Sequence, residues 1–130
     1  MFTDLNLHER LLKALTELSF ETPTPVQEQT IPPGIEGKDL YVIAQTGSGK
    51  TAAYVLPILH RLLTDEAKPT GPRALILSPT RELARQILQD VQNLAKFTFL
   101  KAELIIGGED FKVQAAKMRK NPDLLIADEP

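Results

Sequence analysis

The sequence predicts an α/β fold with an open, mainly parallel sheet flanked by helices. Short apolar runs typical of buried strands alternate along the chain with longer segments whose apolar residues recur at helical spacing. Such alternation indicates βαβ units, in which parallel strands are joined by right-handed crossovers. The clearest stretch is residues 40–63, where an apolar run leads into a glycine-rich loop and then into a helical pattern.

Length and composition indicate an ordinary globular domain. The chain has 130 residues, of which 42% are hydrophobic and 25% are charged, so it can bury one core and is too short for two domains. Its apolar stretches are shorter than a bilayer span, and its first residues lack the basic-then-apolar order of a signal peptide. We therefore expect a cytoplasmic protein.

Cysteine content and charge exclude several kinds of site. The chain contains no cysteine and two histidines, which excludes disulfides and thiolate metal sites and argues against structural zinc. Its formal net charge is −2, so no overall positive field indicates nucleic-acid binding. Any contact with nucleic acid is therefore expected to be local and to use backbone amides in part.

Two helices are predicted before the glycine-rich loop. Asn6 followed by Glu9 predicts a capping pair for a helix over residues 6–18. Thr24 predicts the N-cap of the second helix, with Pro25 at its first position. The pattern is then broken by prolines and glycines, namely Pro32, Pro33, Gly34 and Gly37.

Four strands are predicted, and the first is expected to be central and parallel because it is apolar throughout. They cover residues 40–43, 74–77, 104–106 and 124–127, with helices over 50–63, from the N-cap Thr80 to 94, and over 111–120. Residues 64–72 are polar and rich in proline and glycine, which predicts a surface loop.

The glycine-rich loop has the composition of a nucleotide phosphate cradle. A strand that ends in such a loop and then opens a helix points backbone N–H groups at one small volume, where an anion is favoured. Lys50 would reach the β- and γ-phosphates, and the Thr51 hydroxyl would ligate Mg²⁺. An ordinary glycine turn is the alternative. The loop consists of Ala44, Gln45, Thr46, Gly47, Ser48, Gly49, Lys50 and Thr51, with Ala44 where the general pattern has glycine.

Five features of the sequence occur together. They are Phe2, residues 20–27, residues 44–51, the Pro-Thr-Arg-Glu-Leu-Ala run at 79–84, and the glycine pair at 107–108. In their order and spacing they resemble the front half of a DEAD-box RNA helicase, and they cover most of its first RecA-like domain. The resemblance implies ATP and Mg²⁺ as cofactors, RNA as a partner, and a C-terminal RecA-like domain in the parent protein.

By this resemblance, Gln27 and Phe2 hold the adenine of ATP. A glutamine amide offers one donor and one acceptor, which match N7 and N6 of adenine and not the two acceptors of guanine. The alternative for Gln27 is a capping residue that bonds back to Thr24. Phe2 is implied to stack on the adenine, with plain core packing as its alternative. Ser19 departs from the pattern, since the family usually has glycine there.

The resemblance also implies an RNA-contacting group at Pro79, Thr80, Arg81, Gly107 and Gly108. A helix N-terminus, a hydroxyl and a guanidinium form an anion clamp, and two glycines permit close approach of a sugar-phosphate chain. Binding is then expected to be independent of RNA sequence and to weaken with salt. The alternatives are a helix cap with a solvated arginine and a simple strand-ending turn.

The family's Asp-Glu-Ala-Asp motif is missing from the sequence. The last predicted strand does end in Asp128-Glu129, which imitates a Mg²⁺-holding and water-activating pair. Its position corresponds instead to the family's Thr-Pro-Gly-Arg RNA-contact loop, so we interpret it as a departure, with a working acidic pair as the alternative. The expected domain organisation is a helical adenine-binding region at 1–37 and a P-loop core at 38–130, an incomplete RecA-like domain.

Turnover by this chain alone is not expected. The second RecA-like domain supplies an arginine finger in the family, and such a residue is typically worth about 10³–10⁵ in rate. The chain is therefore expected to bind ATP without hydrolysing it, while the full-length parent unwinds RNA. Two alternatives stay open, which are a non-catalytic nucleotide- or RNA-binding module and another single-domain P-loop ATPase that uses Asp128-Glu129.

Overall fold

The computed structural model describes residues 1–65 and 71–128. The chain forms two compact units, one made of Met1–Asp65 with Asn93–Thr98 and the other of Glu66–Gln92 with Phe99–Pro130. Most of the predicted loop at 64–72 lies outside the described residues, as does Glu129. In chain order, a 3₁₀ turn (Phe2–Leu5) is followed by α1 (Glu9–Glu17), α2 (Pro25–Ile35), α3 (Lys50–Thr64), β1 (Ala74–Ser78), α4 (Arg81–Leu94), β2 (Ala102–Ile105), α5 (Phe111–Arg119) and β3 (Leu124–Asp128).

Helix α1 begins later than the sequence predicts, and the expected capping pair is wrong. Asn6 has a left-handed backbone (φ 62°) and ends the 3₁₀ turn, a conformation that asparagine tolerates better than most residues. His8 is the N-cap, and its Nδ1 accepts the N–H of Arg10 at 3.1 Å. An imidazole nitrogen therefore satisfies a free amide of the first turn.

Helix α2 confirms its predicted start. The Thr24 hydroxyl accepts the Gln27 N–H at 3.4 Å, and Gln27 Oε1 accepts the Thr24 N–H at 2.9 Å, so a reciprocal capping box is present. This arrangement satisfies two amide donors at the helix N-terminus.

The predicted break in α2 occurs later than expected, because the helix continues through Pro32 and Pro33 to Ile35. Tertiary packing explains the difference. A Cβ added to Gly34 would lie 2.9 Å from Pro57 Cβ in α3, so the two helices touch closely at a residue with no side chain. Burial against α3 compensates for the hydrogen bonds that the two prolines cannot donate. The chain turns at Gly37, whose φ is +84°.

The sheet is parallel, as predicted, with strand order β1-β3-β2. Ser78 is level with Asp128, and Ile105 is level with Ala127, so the carboxyl ends of the three strands meet at one edge. One face is buried, and it carries Ile76, Leu104 and Ile126. This edge is where ligands bind in open parallel sheets.

The prediction of a central first strand at 40–43 is wrong. The segment is paired with no strand among residues 1–65 and 71–128, and Tyr41 and Ile43 are 92% and 83% exposed. An extended apolar segment becomes a strand only when a neighbouring backbone completes its ladder of hydrogen bonds. An apolar sequence by itself supplies no such neighbour.

No helix among the described residues is long and apolar enough to cross a membrane.

Helices α1 and α3 are joined near their ends by two histidines. The backbone N–H of His8 donates to Nδ1 of His60 at 3.0 Å. Burial lowers the pKa of His60 below its usual value, and the nearby His8 lowers this pKa further. Protonation of His60 at Nδ1 would remove the acceptor of this hydrogen bond.

We expect acid to destabilise the first unit through His60. Because the folded-state pKa of His60 is lowered, the unfolded chain takes up this proton first, at its ordinary pKa of about 6.5. The free energy of unfolding should therefore be highest above that pH, fall as the pH drops towards the folded-state pKa, and level off below it. Urea melts at a series of pH values from about 8 to 5 test this expectation.

The variant His60→Gln isolates this contribution, because glutamine cannot take up the proton. Burial raises the pKa of Asp90 in α4, so that carboxyl favours the folded state as the pH falls and acts in the opposite direction. An unchanged pH dependence in His60→Gln would contradict the assignment.

Candidate functional site

The glycine-rich loop opens α3 in the predicted way. Gly47 and Gly49 both have φ +84°, a left-handed backbone that glycine adopts without steric cost. Gly49 is the N-cap of α3, and its carbonyl accepts the first intrahelical bond, from Ala53 N–H at 3.2 Å. The N–H groups of the first helical turn have no carbonyl of their own helix to donate to, so they are available to an anion.

Lys50 forms a hydrogen bond across the glycine-rich loop. Lys50 Nζ donates to the carbonyl of Ala44 at 3.0 Å. The lysine side chain therefore bridges the start of α3 and the first residue of the loop. Alanine at position 44 does not disturb this contact, since it uses only the backbone oxygen. The ammonium can exchange this carbonyl for phosphate oxygens, which are stronger acceptors because they are charged.

The residues of the loop fit a phosphate and its metal ion. The hydroxyl oxygen of Ser48 is buried and has no hydrogen-bond partner within the described part of the chain, so it is a polar atom that a ligand could satisfy. A Cβ placed on Gly47 would meet nothing within 4 Å, which leaves space over the loop. Thr51 is the second residue of α3 and is partly exposed, as a hydroxyl ligand of Mg²⁺ must be.

Gln27 connects α2 to the loop. Besides its capping bond to Thr24, its Nε2 donates to the carbonyl of Gly49 at 3.1 Å. The side chain is 3% exposed, and a Cβ on Gly49 would collide with its Nε2. The Gln27 Oε1 and Nε2 atoms therefore both have hydrogen-bond partners within the protein. The capping role of Gln27 is observed. The adenine-binding role of Gln27 stays a prediction, and it requires the amide to exchange a partner.

Phe2 lies in the helical core. It is 4% exposed, and its ring centroid is 6.4 Å from that of Phe20, with the planes tilted by 31°. This is the packing alternative considered from the sequence, since two aromatic rings in contact at this distance stabilise a core. Stacking of Phe2 on adenine stays a prediction.

A cavity of about 660 Å³ lies beside the loop in the first unit. Its walls come from α2, from the unpaired segment 40–43, and from two loop residues, Gln45 and Ser48. Lys50, Thr51 and Gln27 do not line it. The volume of the cavity suits a small ligand. However, the unpaired segment 40–43 forms much of its wall. We therefore do not assign the nucleotide to this cavity.

The predicted RNA-contacting residues, which we call the strand-end group, lie in the second unit; they are Pro79, Thr80, Arg81, Gly107 and Gly108. Thr80 caps α4 as predicted, because its hydroxyl accepts the Leu83 N–H at 3.1 Å. Its carbonyl accepts the Ser78 hydroxyl at 3.1 Å, which fixes the turn between β1 and the helix. Pro79, Thr80 and Arg81 are exposed, so this helix N-terminus faces solvent.

The structure brings Arg81, Gly107 and Gly108 together and adds Asp128 to them. Arg81 Nη2 donates to the Gly107 carbonyl at 2.7 Å, and Arg81 Nε lies 3.6 Å from Asp128 Oδ2. Asp128 Oδ1 accepts the Gly107 N–H at 2.7 Å. Gly108 has φ +81°, a conformation that favours glycine, and a Cβ there would lie 3.3 Å from Arg81 Nη2. We call these four residues the Arg81 cluster.

The contact between Asp128 and Arg81 was not predicted. Asp128 was considered as a metal ligand, but its carboxylate is engaged by a cation and by a backbone amide. Glu129, its partner in that alternative, lies outside the described residues. Among residues 1–65 and 71–128, no three His, Asp or Glu side chains are grouped to hold a metal. The strand order could have revealed the contact, since β3 adjoins both other strands, but sequence alone does not determine that order.

Comparison with known proteins agrees with this arrangement. The model of the DEAD/DEAH box helicase family matches residues 24–129. The chain is 48% identical to a probable ATP-dependent RNA helicase, ddx27, of Dictyostelium discoideum, over 97% of this chain and 16% of the relative. It is 46% identical to the ATP-dependent RNA helicase DDX54 of Mus musculus, over 97% of this chain and 14% of the relative. The chain thus spans about a sixth of the length of these relatives.

Solved structures show the same fold. A hypothetical ATP-dependent RNA helicase from Sulfolobus tokodaii superposes with a TM-score of 0.81 at 34% identity, covering 94% of this chain and 34% of that one. The RNA helicase Prp28 from Chaetomium thermophilum, bound to ADP, gives a TM-score of 0.84 at 37% identity, covering 95% and 31%. Sequence and structure together place this chain in the DEAD/DEAH box helicase family.

Proposed function

We propose that this chain is the ATP-binding and RNA-contacting part of a DEAD-box RNA helicase. The observation that carries the proposal is the convergence of Lys50 and Gln27 on one loop, where Lys50 holds the Ala44 carbonyl and Gln27 holds the Gly49 carbonyl. Both contacts hold the loop backbone beside the start of α3, and on binding the Lys50 ammonium exchanges the Ala44 carbonyl for phosphate oxygens. A structural neighbour in the family has been solved with ADP.

The roles in nucleotide binding follow from the positions of the groups. The N–H groups at the start of α3 bind phosphate oxygens, and Lys50 neutralises the charge of the β- and γ-phosphates. Thr51 provides a hydroxyl ligand for Mg²⁺, which when bound neutralises charge that develops on the phosphates. Ser48 supplies a further hydroxyl at the loop. Gln27 and Phe2 recognise adenine after exchange of their present partners.

RNA binds at the strand-end group through its backbone. Thr80 offers its hydroxyl and the N-terminus of α4, while Arg81 is 58% exposed and carries a full positive charge. Gly107 and Gly108 let the sugar-phosphate chain approach the protein backbone. All of these groups recognise phosphate or sugar, so binding does not depend on base sequence.

We further propose that the full-length protein couples ATP hydrolysis to RNA unwinding, while this chain alone binds without turnover. The sequence contains no Asp-Glu-Ala-Asp motif. Asp128 pairs with Arg81 and accepts the Gly107 N–H, which argues against a single-domain ATPase that uses Asp128 for metal. A binding module without turnover remains the second candidate. The cytoplasm, where ATP is supplied, remains the expected location.

The variant Lys50→Ala tests the phosphate site. Loss of the ammonium group removes a charge-assisted contact to the phosphates, so we expect at least about tenfold weaker binding of ATP by isothermal titration calorimetry. Lys38→Ala is the matched control, since Lys38 is also exposed and pairs only on the surface with Glu36, at 3.0 Å. Equal affinity of the wild type and Lys50→Ala would refute the site.

The ratio of ATP to GTP affinity tests Gln27. In Gln27→Ala we expect ATP binding to weaken by about tenfold and GTP binding to change much less, because only adenine matches the donor and acceptor of the amide. Thr24→Ala removes the capping hydroxyl and leaves the amide of Gln27 in place, so it controls for loss of the helix cap. If Gln27→Ala lowers ATP and GTP binding equally, Gln27 supports the helix cap and the loop and does not recognise adenine.

Salt dependence tests the RNA contact of Arg81. Arg81→Ala should weaken binding of a short oligouridylate and reduce the slope of log K against log salt by about 0.7, the value for one phosphate contact on a single strand. Fluorescence anisotropy at several salt concentrations measures both quantities. Arg119→Ala removes an exposed positive charge at the end of α5 and should leave the slope unchanged. An unaltered slope in Arg81→Ala would exclude this arginine from the RNA site.

A further inference from the structure

We propose that Asp128 is an internal anion that competes with RNA phosphate for Arg81 and the Gly107 amide, and so weakens RNA binding by this chain. The inference rests on the proposed function, in which Arg81 and Gly107 contact the RNA backbone. It assigns to Asp128 a role that is neither metal binding nor catalysis. It predicts that removal of the negative charge of Asp128 raises the affinity for RNA.

Asp128 already accepts one hydrogen bond that a phosphate would accept, from the Gly107 N–H, and forms an ion pair with Arg81. One carboxylate oxygen lies 3.6 Å from Arg81 Nε, and the other accepts the Gly107 N–H at 2.7 Å. A phosphate group would address the same two donors with two of its oxygens. The carboxylate and an RNA phosphate therefore compete for the Gly107 N–H and for the Nε side of the guanidinium.

The fold gives the carboxylate an advantage over an external anion. Asp128 is the last residue of β3, the middle strand, and it is held in register with Ser78 of β1. Its side chain is 5% exposed, while that of Arg81 is 58% exposed. A group that is fixed to the sheet loses no translational freedom when it binds, whereas RNA does.

The exposed side of Arg81 determines how the competition proceeds. The guanidinium is accessible to solvent, so RNA can reach it without unfolding any element. To bind it, RNA must separate Arg81 from Asp128 and must also bring its own negative charge close to the carboxylate. Both effects lower the affinity, and both vanish when position 128 is neutral.

The variant Asp128→Asn tests this directly. Asparagine keeps an oxygen that can accept the Gly107 N–H, but it carries no charge and forms no ion pair with Arg81. We expect binding of a short single-stranded oligouridylate, measured by fluorescence anisotropy at low salt, to tighten about five- to tenfold.

Glu103→Gln is the matched control. It removes one negative charge from the same sheet and one ion pair, that of Glu103 with Lys120 at 3.4 Å, and Glu103 is also largely buried, at 18% exposure. Its RNA affinity should stay within about twofold of the wild type, because it does not touch the Arg81 cluster.

A double-mutant cycle with Arg81→Ala separates competition from a structural role. If Asp128 acts by occupying Arg81, most of the gain from Asp128→Asn should disappear in the Arg81→Ala background. A gain of the same size in both backgrounds, or an equal gain in Glu103→Gln, would show a general charge effect and overturn the proposal. Unchanged affinity in Asp128→Asn, together with loss of affinity in Arg81→Ala, would overturn the proposal and leave the RNA site intact.

If RNA binding by the wild type and by Asp128→Asn is equally insensitive to Arg81→Ala, the proposed RNA site is itself wrong and the inference falls with it. A second measurement needs no variant. Titration of the wild type with oligouridylate should shift the NMR signal of the Gly107 amide as its carboxylate partner is displaced. An unshifted Gly107 signal at saturating RNA would refute the displacement.

Discussion

The left-handed backbone of Gly49 is the constraint on which the candidate nucleotide site depends. This residue ends the glycine-rich loop and caps α3, and its φ of +84° aims the first N–H groups of the helix at the loop. Its lack of a side chain lets Gln27 approach its carbonyl. Gly49 is therefore required both for its positive φ and for the close approach of the Gln27 side chain. Any other residue there would strain the turn and displace the buried amide that joins α2 to the loop.

A second constraint, parallel register, organises the strand-end group. Because β3 lies between β1 and β2, the residue that ends it stands between the turn after β1 and the glycine pair after β2. An acidic residue at that point meets both Arg81 and the Gly107 amide. The edge geometry proposed for a phosphate also suits a carboxylate, and Asp128 forms an ion pair and a hydrogen bond there.

Local features were predicted well, and features that require a distant partner were not. Thr24 and Thr80 cap their helices as expected because a cap involves residues within one turn. The prediction for Asn6 was wrong because His8 offered an equally local acceptor. Helix α2 passed through its two prolines because contact with α3 outweighed propensity. The segment at 40–43 remained unpaired, since its strand character depended on another backbone.

The sequence by itself determined the glycine-rich loop, the helix that follows it, the parallel class of the sheet and the family, because each is written in short runs of residue type and spacing. Only the tertiary structure decided that the Gln27 amide also reaches the Gly49 carbonyl, that Phe2 packs on Phe20, and that Asp128 pairs with Arg81. The contacts Phe2–Phe20, Gln27–Gly49 and Arg81–Asp128 join residues 18, 22 and 47 positions apart. Burial and strand order determine these contacts, and neither can be read from any single stretch of sequence.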